Sequence, residues 1–191
     1  MTDPLVIAPE VRAAVADGEP VLALESTIFT HGLPRPRNLD VALEAEARVR
    51  ALGVVPATIG LVDGRPTVGL SPDEIERLGT AEGVVKASVR DMPVAAVNGL
   101  NAGTTVAATA YLAARAGVRV FCTGGLGGVH RGAAQTFDES ADLPALAGLA
   151  LVVVSAGVKS ILDIPLTSGR SVTTASALRP AGAPAHARCR R

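Results

Sequence analysis

The amino-acid sequence predicts an α/β fold with three layers, α/β/α, around a mixed, partly parallel sheet. Three observations carry this. Short apolar segments (VLALE, ATIGLV, VRVFCT, LVVVS) alternate with helix-length segments, the order that builds a sheet with helices packed on it. Several of those segments are apolar at successive positions, as strands covered on both faces are. Asp63-Gly64 between two apolar runs is a hairpin signal, which puts an antiparallel pair into the sheet. A chain of 191 residues allows one domain, or a domain plus a tail, and buries a core without disulfides or metal. At 48% hydrophobic and 19% charged residues it is not a disordered chain.

Taken in order, residues 21–25 form a short buried strand running into Ser26, Thr27 and a punctuated loop, HGLPRPRN. Asn38 caps a helix to about Leu52, stopped by Gly53, with Leu39, Leu43 and Val49 near one face. Residues 57–62 are the next strand, and the Asp63-Gly64 turn leads to a return strand ending near Val68. Ser71-Pro72-Asp73-Glu74 is a capping box with proline at the first helical position, opening a helix that ends at Gly79. Residues 84–88 read as a strand carrying Lys86, and residues 104–116 as an alanine-rich helix stopped by Gly117. The strand at 118–123 enters a glycine loop, GGLGGVHRG, at 124–132. The strand at 151–155 ends in AGVKS. After Pro165 no periodicity is visible, so the expectation is a body at 1–163 and an irregular, disordered tail at 164–191.

Lys and Arg number 18, as do Asp and Glu, but every acid lies at or before Asp163. Five arginines and no acids follow, so a mildly acidic body, at about −5, carries a basic tail. With 2% aromatic residues and no basic–aromatic stripe, no nucleic-acid partner is expected. No run of 18 apolar residues suggests a membrane span, and the start, MTDPLVIAPEVRAAVADGEP, lacks the form of a signal peptide. The two cysteines, Cys122 and Cys189, lie far apart and fit a reducing cytoplasm.

Arginines number 16 and lysines two, Lys86 and Lys159. Chance survival would explain this. So would function, because a lysine amine condenses with a carbonyl and a guanidinium does not. Lys159 follows a strand and a glycine turn, which makes it a candidate amine nucleophile or a surface lysine. Glu25 ends a buried strand, where sites of α/β sheets gather; it is a general acid or base, or caps the next turn. The glycine loop could present N–H groups to an anion, with His130 and Arg131 as direct phosphate contacts, but it matches neither the Walker pattern nor the dinucleotide fingerprint. Asp138, Glu139 and Asp142 could hold Mg²⁺ or Mn²⁺, although the acidic first turn of a helix is the preferred reading. Cys122 reads as core, Ser26 lacks a nucleophile-elbow setting, and no His/Cys set has zinc spacing.

The segments ALESTIFTHGLPRPRN, VPATIGLVDG, VGLSPDEIERLG, GTTVAATAYLAARAGVRVFCTGGLGGVHRGA, TFDESADL and SAGVKSILD resemble, in order, the pseudouridine-5′-phosphate glycosidases, a group that includes the indigoidine synthase A-like proteins. The resemblance covers roughly residues 5 to 163. It implies reversible cleavage of the C–C glycosidic bond of pseudouridine 5′-phosphate to uracil and ribose 5-phosphate. On the matching positions it implies Lys159 as the imine-forming lysine and Glu25 as proton donor. It implies Lys86, Val106, Ser140, Ala141 and Asp142 as substrate-binding residues, and Asp138 as the holder of Mn²⁺. A cytoplasmic homotrimer acting on a small molecule is the corresponding expectation.

Chemistry agrees with this assignment. A C–C glycoside has no leaving-group oxygen to protonate, so two carboxylates do not suffice, and an imine supplies the missing electron sink. Members of the family continue well past Asp163, whereas the text after LDIPLT does not resemble them, as expected of a truncated or frameshifted version. Two competing readings follow: an inactive remnant, and another Schiff-base sugar-phosphate lyase of the aldolase type. An oxidoreductase using a nucleotide cofactor is disfavoured by the missing fingerprint.

Overall fold

A computed structural model describes residues 5–173. Cys189 and the rest of the arginine-rich stretch beyond Thr173 lie outside the described residues. The elements are β1 (Val6–Ile7), α1 (Pro9–Asp17), β2 (Val21–Leu24), a π-helical turn at Ile28–Gly32, α2 (Arg37–Ala51), β3 (Val55–Val62), β4 (Arg65–Val68), α3 (Pro72–Thr80) and β5 (Val85–Ala87). They continue with α4 (Met92–Val97), β6 (Ala102–Thr104), α5 (Val106–Arg115), β7 (Val120–Thr123), α6 (Ala133–Thr136), α7 (Asp142–Ala147), β8 (Val152–Ser155) and α8 (Ile164–Thr173).

The sheet runs β1-β4-β3-β2-β7-β8, with β6 also on β3 and β5 on β6. The expected hairpin is present: β3 and β4 are antiparallel, with Asp63 (φ 49°) and Gly64 (φ 75°) both left-handed, as a tight two-residue turn demands. The neighbours of β2 and β7 are all parallel. The sheet is therefore mixed, as the sequence predicts.

One topological detail positions the site. Strand β2 pairs with Val55–Thr58 in parallel, while β6 pairs with Gly60 and Leu61 in antiparallel sense. Because β4 occupies the other edge of β3, β2 and β6 share one edge and run toward each other. Their carboxyl ends meet beside Ile59. Hydroxyls fill the junction: Thr104 N donates to Ser26 Oγ (2.8 Å), Thr104 Oγ1 to the Ile59 carbonyl (2.7 Å) and Thr27 Oγ1 to the Thr104 carbonyl (2.7 Å). Fully buried Ser26 thus serves as a splice between strand ends.

One face of the sheet, with Ala23, Ala57 and Phe121, packs against α1 and α5. The alanines of α5 let the helix lie close to the strands. The other face holds Leu24 and Thr58 and is covered by α2. Register aligns Leu22 with Val120 and Val152, and Leu24 with Cys122 and Val154, on that same face. Among the described residues the helical layer stops short there: Val152 is 61% exposed and Val154 51%.

Several details differ from expectation. Asn38 lies inside α2 instead of capping it; it is buried, and its amide donates to the Phe29 and Gly79 carbonyls. The buried stripe of α2 is Asn38, Ala42 and Glu46, spaced four apart, and Leu43 faces solvent. Two of the three are polar, so hydrophobic periodicity misses the stripe. Residues 164–173, expected to be irregular, are helical. Thr167 of α8 is fully buried and its hydroxyl accepts from Val129 N (2.9 Å), tying this helix to the glycine loop.

Candidate active site

The carboxyl ends of β2, β6, β7 and β8 converge on a cleft of about 330 Å³. Glu25, Lys86, Val106, His130, Ser140, Ala141, Asp142 and Lys159 all line it. Residues separated by more than 130 positions thus share one cavity, and both lysines of the chain are among them.

Glu25 follows β2 directly. Burial pushes its carboxyl above the ordinary glutamate value. A hydrogen bond from Thr123 Oγ1 to Oε1 and the Lys159 and Lys86 ammonium charges work against that rise, and Asp142 adds to it. Lys159 sits in the loop after β8, pinned by its own backbone: Lys159 N donates to the Leu126 carbonyl (3.0 Å), and Leu126 N to the Gly157 carbonyl (2.9 Å). Lys86 lies on β5 opposite Gly103 of β6.

Asp142, the first residue of α7, is buried and uses both carboxylate oxygens. Oδ1 accepts from Ala107 N in the first turn of α5 (3.0 Å), and Oδ2 from Gly127 N in the glycine loop (2.8 Å). Its negative charge faces the positive end of α5. A side chain at position 127 would come within 2.1 Å of Ser140 Oγ and 2.5 Å of Asp142 Oδ2, so glycine is required there by close approach. Ser140 completes the clamp: its N donates to the Gly128 carbonyl (2.9 Å), and its Oγ accepts from Asp142 N (3.2 Å).

Two expected residues stand outside the cleft. Arg131 is exposed, and its guanidinium donates to the Ser160 carbonyl (3.2 Å). Asp138 is exposed beside His130, with Oδ2 3.7 Å from Nδ1 and its carbonyl accepting from His130 N (3.0 Å). The three acids of TFDESADL do not converge: Asp138 faces His130, Glu139 pairs with Arg170 (3.0 Å), and Asp142 binds backbone. Among the described residues no three metal-binding side chains cluster. This donor set does not form a dry cage, and a cation at Asp138 would have to keep most of its water.

Sequence reasoning missed Thr27, Ser88, Thr105, Ile161 and Leu162 in the cleft lining, and had Gly127 only as part of the glycine loop. Thr105 was findable as a helix cap, since its hydroxyl accepts from Ala108 N (3.4 Å). The others carry no signal that distinguishes them from ordinary strand and loop residues.

The sequence profile of the family described as "Indigoidine synthase A like protein" matches residues 10–175. The chain belongs to this family. Among curated relatives of this indigoidine synthase A-like chain, a pseudouridine-5′-phosphate glycosidase of Saccharopolyspora erythraea is 64% identical over 168 residues, covering 88% of this chain and 55% of the relative. One of Frankia alni is 59% identical over 169 residues, covering 88% and 47%. The chain therefore spans about half the length of the curated relatives it matches. A prealnumycin C-glycosynthase solved in complex with ribulose 5-phosphate superposes with a TM-score of 0.81 at 42% identity, covering 89% of this chain and 55% of that one. An indigoidine synthase A-like protein of Thermotoga maritima gives 0.79 at 37%, with the same coverage. No helix among the described residues is long and apolar enough to cross a membrane.

Proposed function

We propose that this chain carries the imine-forming site of a pseudouridine-5′-phosphate glycosidase, which reversibly cleaves the C–C glycosidic bond to uracil and ribose 5-phosphate. The observation that supports it most is the meeting of Glu25, Lys86 and Lys159 in one cleft.

In the cleavage direction Lys159 gives its ammonium proton to solvent and attacks C1′ as the free amine, and the ring oxygen leaves with the proton that the nitrogen sheds on bonding. The nitrogen lone pair then forms the C1′=N bond as the bond from C1′ to the base carbon breaks. Glu25 delivers a proton to that carbon, releasing uracil. Water adds to the imine, and Lys159 departs as the amine, leaving the aldehyde of ribose 5-phosphate. Burial suits Glu25 to this task, because it keeps a proton on the carboxyl at higher pH than an exposed glutamate would.

Lys86 and His130 bind the phosphate end in this scheme, with Val106, Ser140 and Ala141 shaping the cleft. Asp142 acts through the loop and helix that it joins. Asp138 would hold Mn²⁺, which supplies positive charge near an anionic substrate. The setting proposed is a cytoplasmic homo-oligomer, a trimer, with no nucleic acid or membrane partner.

A second reading, a non-catalytic remnant that binds sugar phosphate without turnover, is favoured by the uncovered β8 face at Val152 and Val154. Another Schiff-base sugar-phosphate lyase would share Lys159 but ignore uracil. Borohydride trapping with ribose 5-phosphate and Mn²⁺, read by peptide mass spectrometry, tests the proposal. A pentose-phosphate adduct on Lys159, lost in Lys159→Arg, is expected, as is uracil-dependent consumption of ribose 5-phosphate. Absence of the adduct from folded protein would leave the remnant reading. An adduct with no uracil-dependent consumption would leave the remnant and the other lyase in contention, separated by turnover of an aldol substrate.

A further inference from the structure

Glu25 and Thr123 stand side by side because β2 and β7 are parallel neighbours in the register Leu24 to Cys122, which brings Glu25, just past the end of β2, beside Thr123, the last residue of β7. Thr123 is 8% exposed, and its hydroxyl donates to Glu25 Oε1. Valine would fill the same space in this apolar strand, VFCT, so what threonine adds is the hydroxyl. A β-branched side chain has few rotamers, which fixes the direction of that donor. A carboxylate accepts such a bond at one oxygen in either protonation state: when Oε2 carries the proton, Oε1 remains a carbonyl acceptor.

We infer that Thr123 is a positioning residue for Glu25: its hydroxyl holds Oε1 throughout proton transfer and reserves Oε2 for the mobile proton. The inference rests on the proton-donor role proposed for Glu25. The charged groups facing Glu25 are Lys159 after β8, Lys86 on β5 and Asp142 at the start of α7. On its other side a second cavity, of about 260 Å³, is lined by Leu24, Ile28, Phe29, Val41 and Cys122, and the Cys122 thiol is its other titratable group. Burial raises that thiol above its ordinary value, away from the range in which Glu25 titrates. The Thr123 hydroxyl is therefore the neutral donor that partly offsets burial at Glu25, and the lysines are the charged groups that do so.

The test is a carboxyl-carbon NMR titration of Glu25 in protein labelled at glutamate Cδ, for wild type, Thr123→Val and Thr123→Ser. Loss of the hydroxyl removes a bond that favours the charged form, so Thr123→Val titrates at higher pH than wild type. Thr123→Ser retains the donor and titrates with wild type. A Thr123→Val protein that titrates with wild type, or a Thr123→Ser protein displaced as far as the valine variant, overturns the inference. Where valine disturbs β7, Thr123→Ala removes the hydroxyl without steric demand and is read in the same way. Borohydride trapping on the same samples separates the two claims. An adduct on Lys159 with an unmoved titration refutes the role of Thr123 alone, whereas a moved titration without an adduct refutes the imine chemistry and leaves the Thr123–Glu25 pairing standing.

Discussion

Replacing Asp142 by asparagine keeps its shape and removes its charge, which separates a structural role from a substrate contact. In the wild type both carboxylate oxygens accept backbone hydrogens, from Ala107 N at 3.0 Å and Gly127 N at 2.8 Å, in a site 7% exposed. An asparagine amide satisfies one of these donors and sets its own N–H₂ against the other. A charge-assisted bond is worth about 1.5–3 kcal/mol, and a buried N–H without a partner costs about 1–3 kcal/mol. The two overlap, so Asp142→Asn is expected to lose about 3 kcal/mol of stability. For a chain of this size that is a fall in Tm of about 6–12 °C. Urea denaturation and thermal melting followed by circular dichroism measure it. A variant within about 0.5 kcal/mol of wild type, yet weakened in ribose 5-phosphate binding, would show that Asp142 serves the substrate and would refute the clamp.

Two further outcomes follow from other parts of the molecule. Glu46, buried on α2 and accepting from Thr58 Oγ1 (2.5 Å), has its carboxyl pushed above the ordinary value by burial, so the folded protein holds that proton more tightly than the unfolded chain does. Wild type therefore loses stability as pH rises from the ordinary glutamate value through the raised one; Glu46→Gln should match it at acid pH and exceed it at pH 8, and urea midpoints that stay parallel across that range would count against this. The exposed valines of β8 should drive self-association: changing Val152 and Val154, each about half exposed, to threonine forfeits about 0.8 kcal/mol apiece, roughly tenfold in association for the pair, read as a lower weight-average mass by sedimentation.

Local chemistry was legible in the chain. The capping box at Ser71 formed as written, with Glu74 N donating to Ser71 Oγ and Ser71 N to Glu74 Oε2. The Asp63-Gly64 turn made the hairpin, and the strand ends at Glu25 and Lys159 proved to face one cleft. Such features depend on residues within a few positions of one another, or on the rule that strand ends gather. The scarcity of lysine pointed to Lys86 and Lys159 for a chemical reason that no fold was needed to state.

What the sequence could not decide was partnership at a distance. Asp138, Glu139 and Asp142 look like one acidic cluster, but they turn to a histidine, an arginine and two backbone amides on three different elements. Arg131, adjacent to His130, leaves the cleft for the Ser160 carbonyl. Asn38 and Glu46 are polar yet buried, because Phe29, Gly79 and Thr58 supply their hydrogen bonds. Residues 164–173 lack helical periodicity because α8 is fixed through Thr167 and the glycine loop, and Ile164 and Leu166 stay exposed. The sequence by itself set the main strands, the turn chemistry and the candidate side chains, all of which follow from local propensity and residue type. Only the tertiary structure decided which side chains share a cavity, because β2 and β6 converge along β3 through contacts between residues almost eighty positions apart.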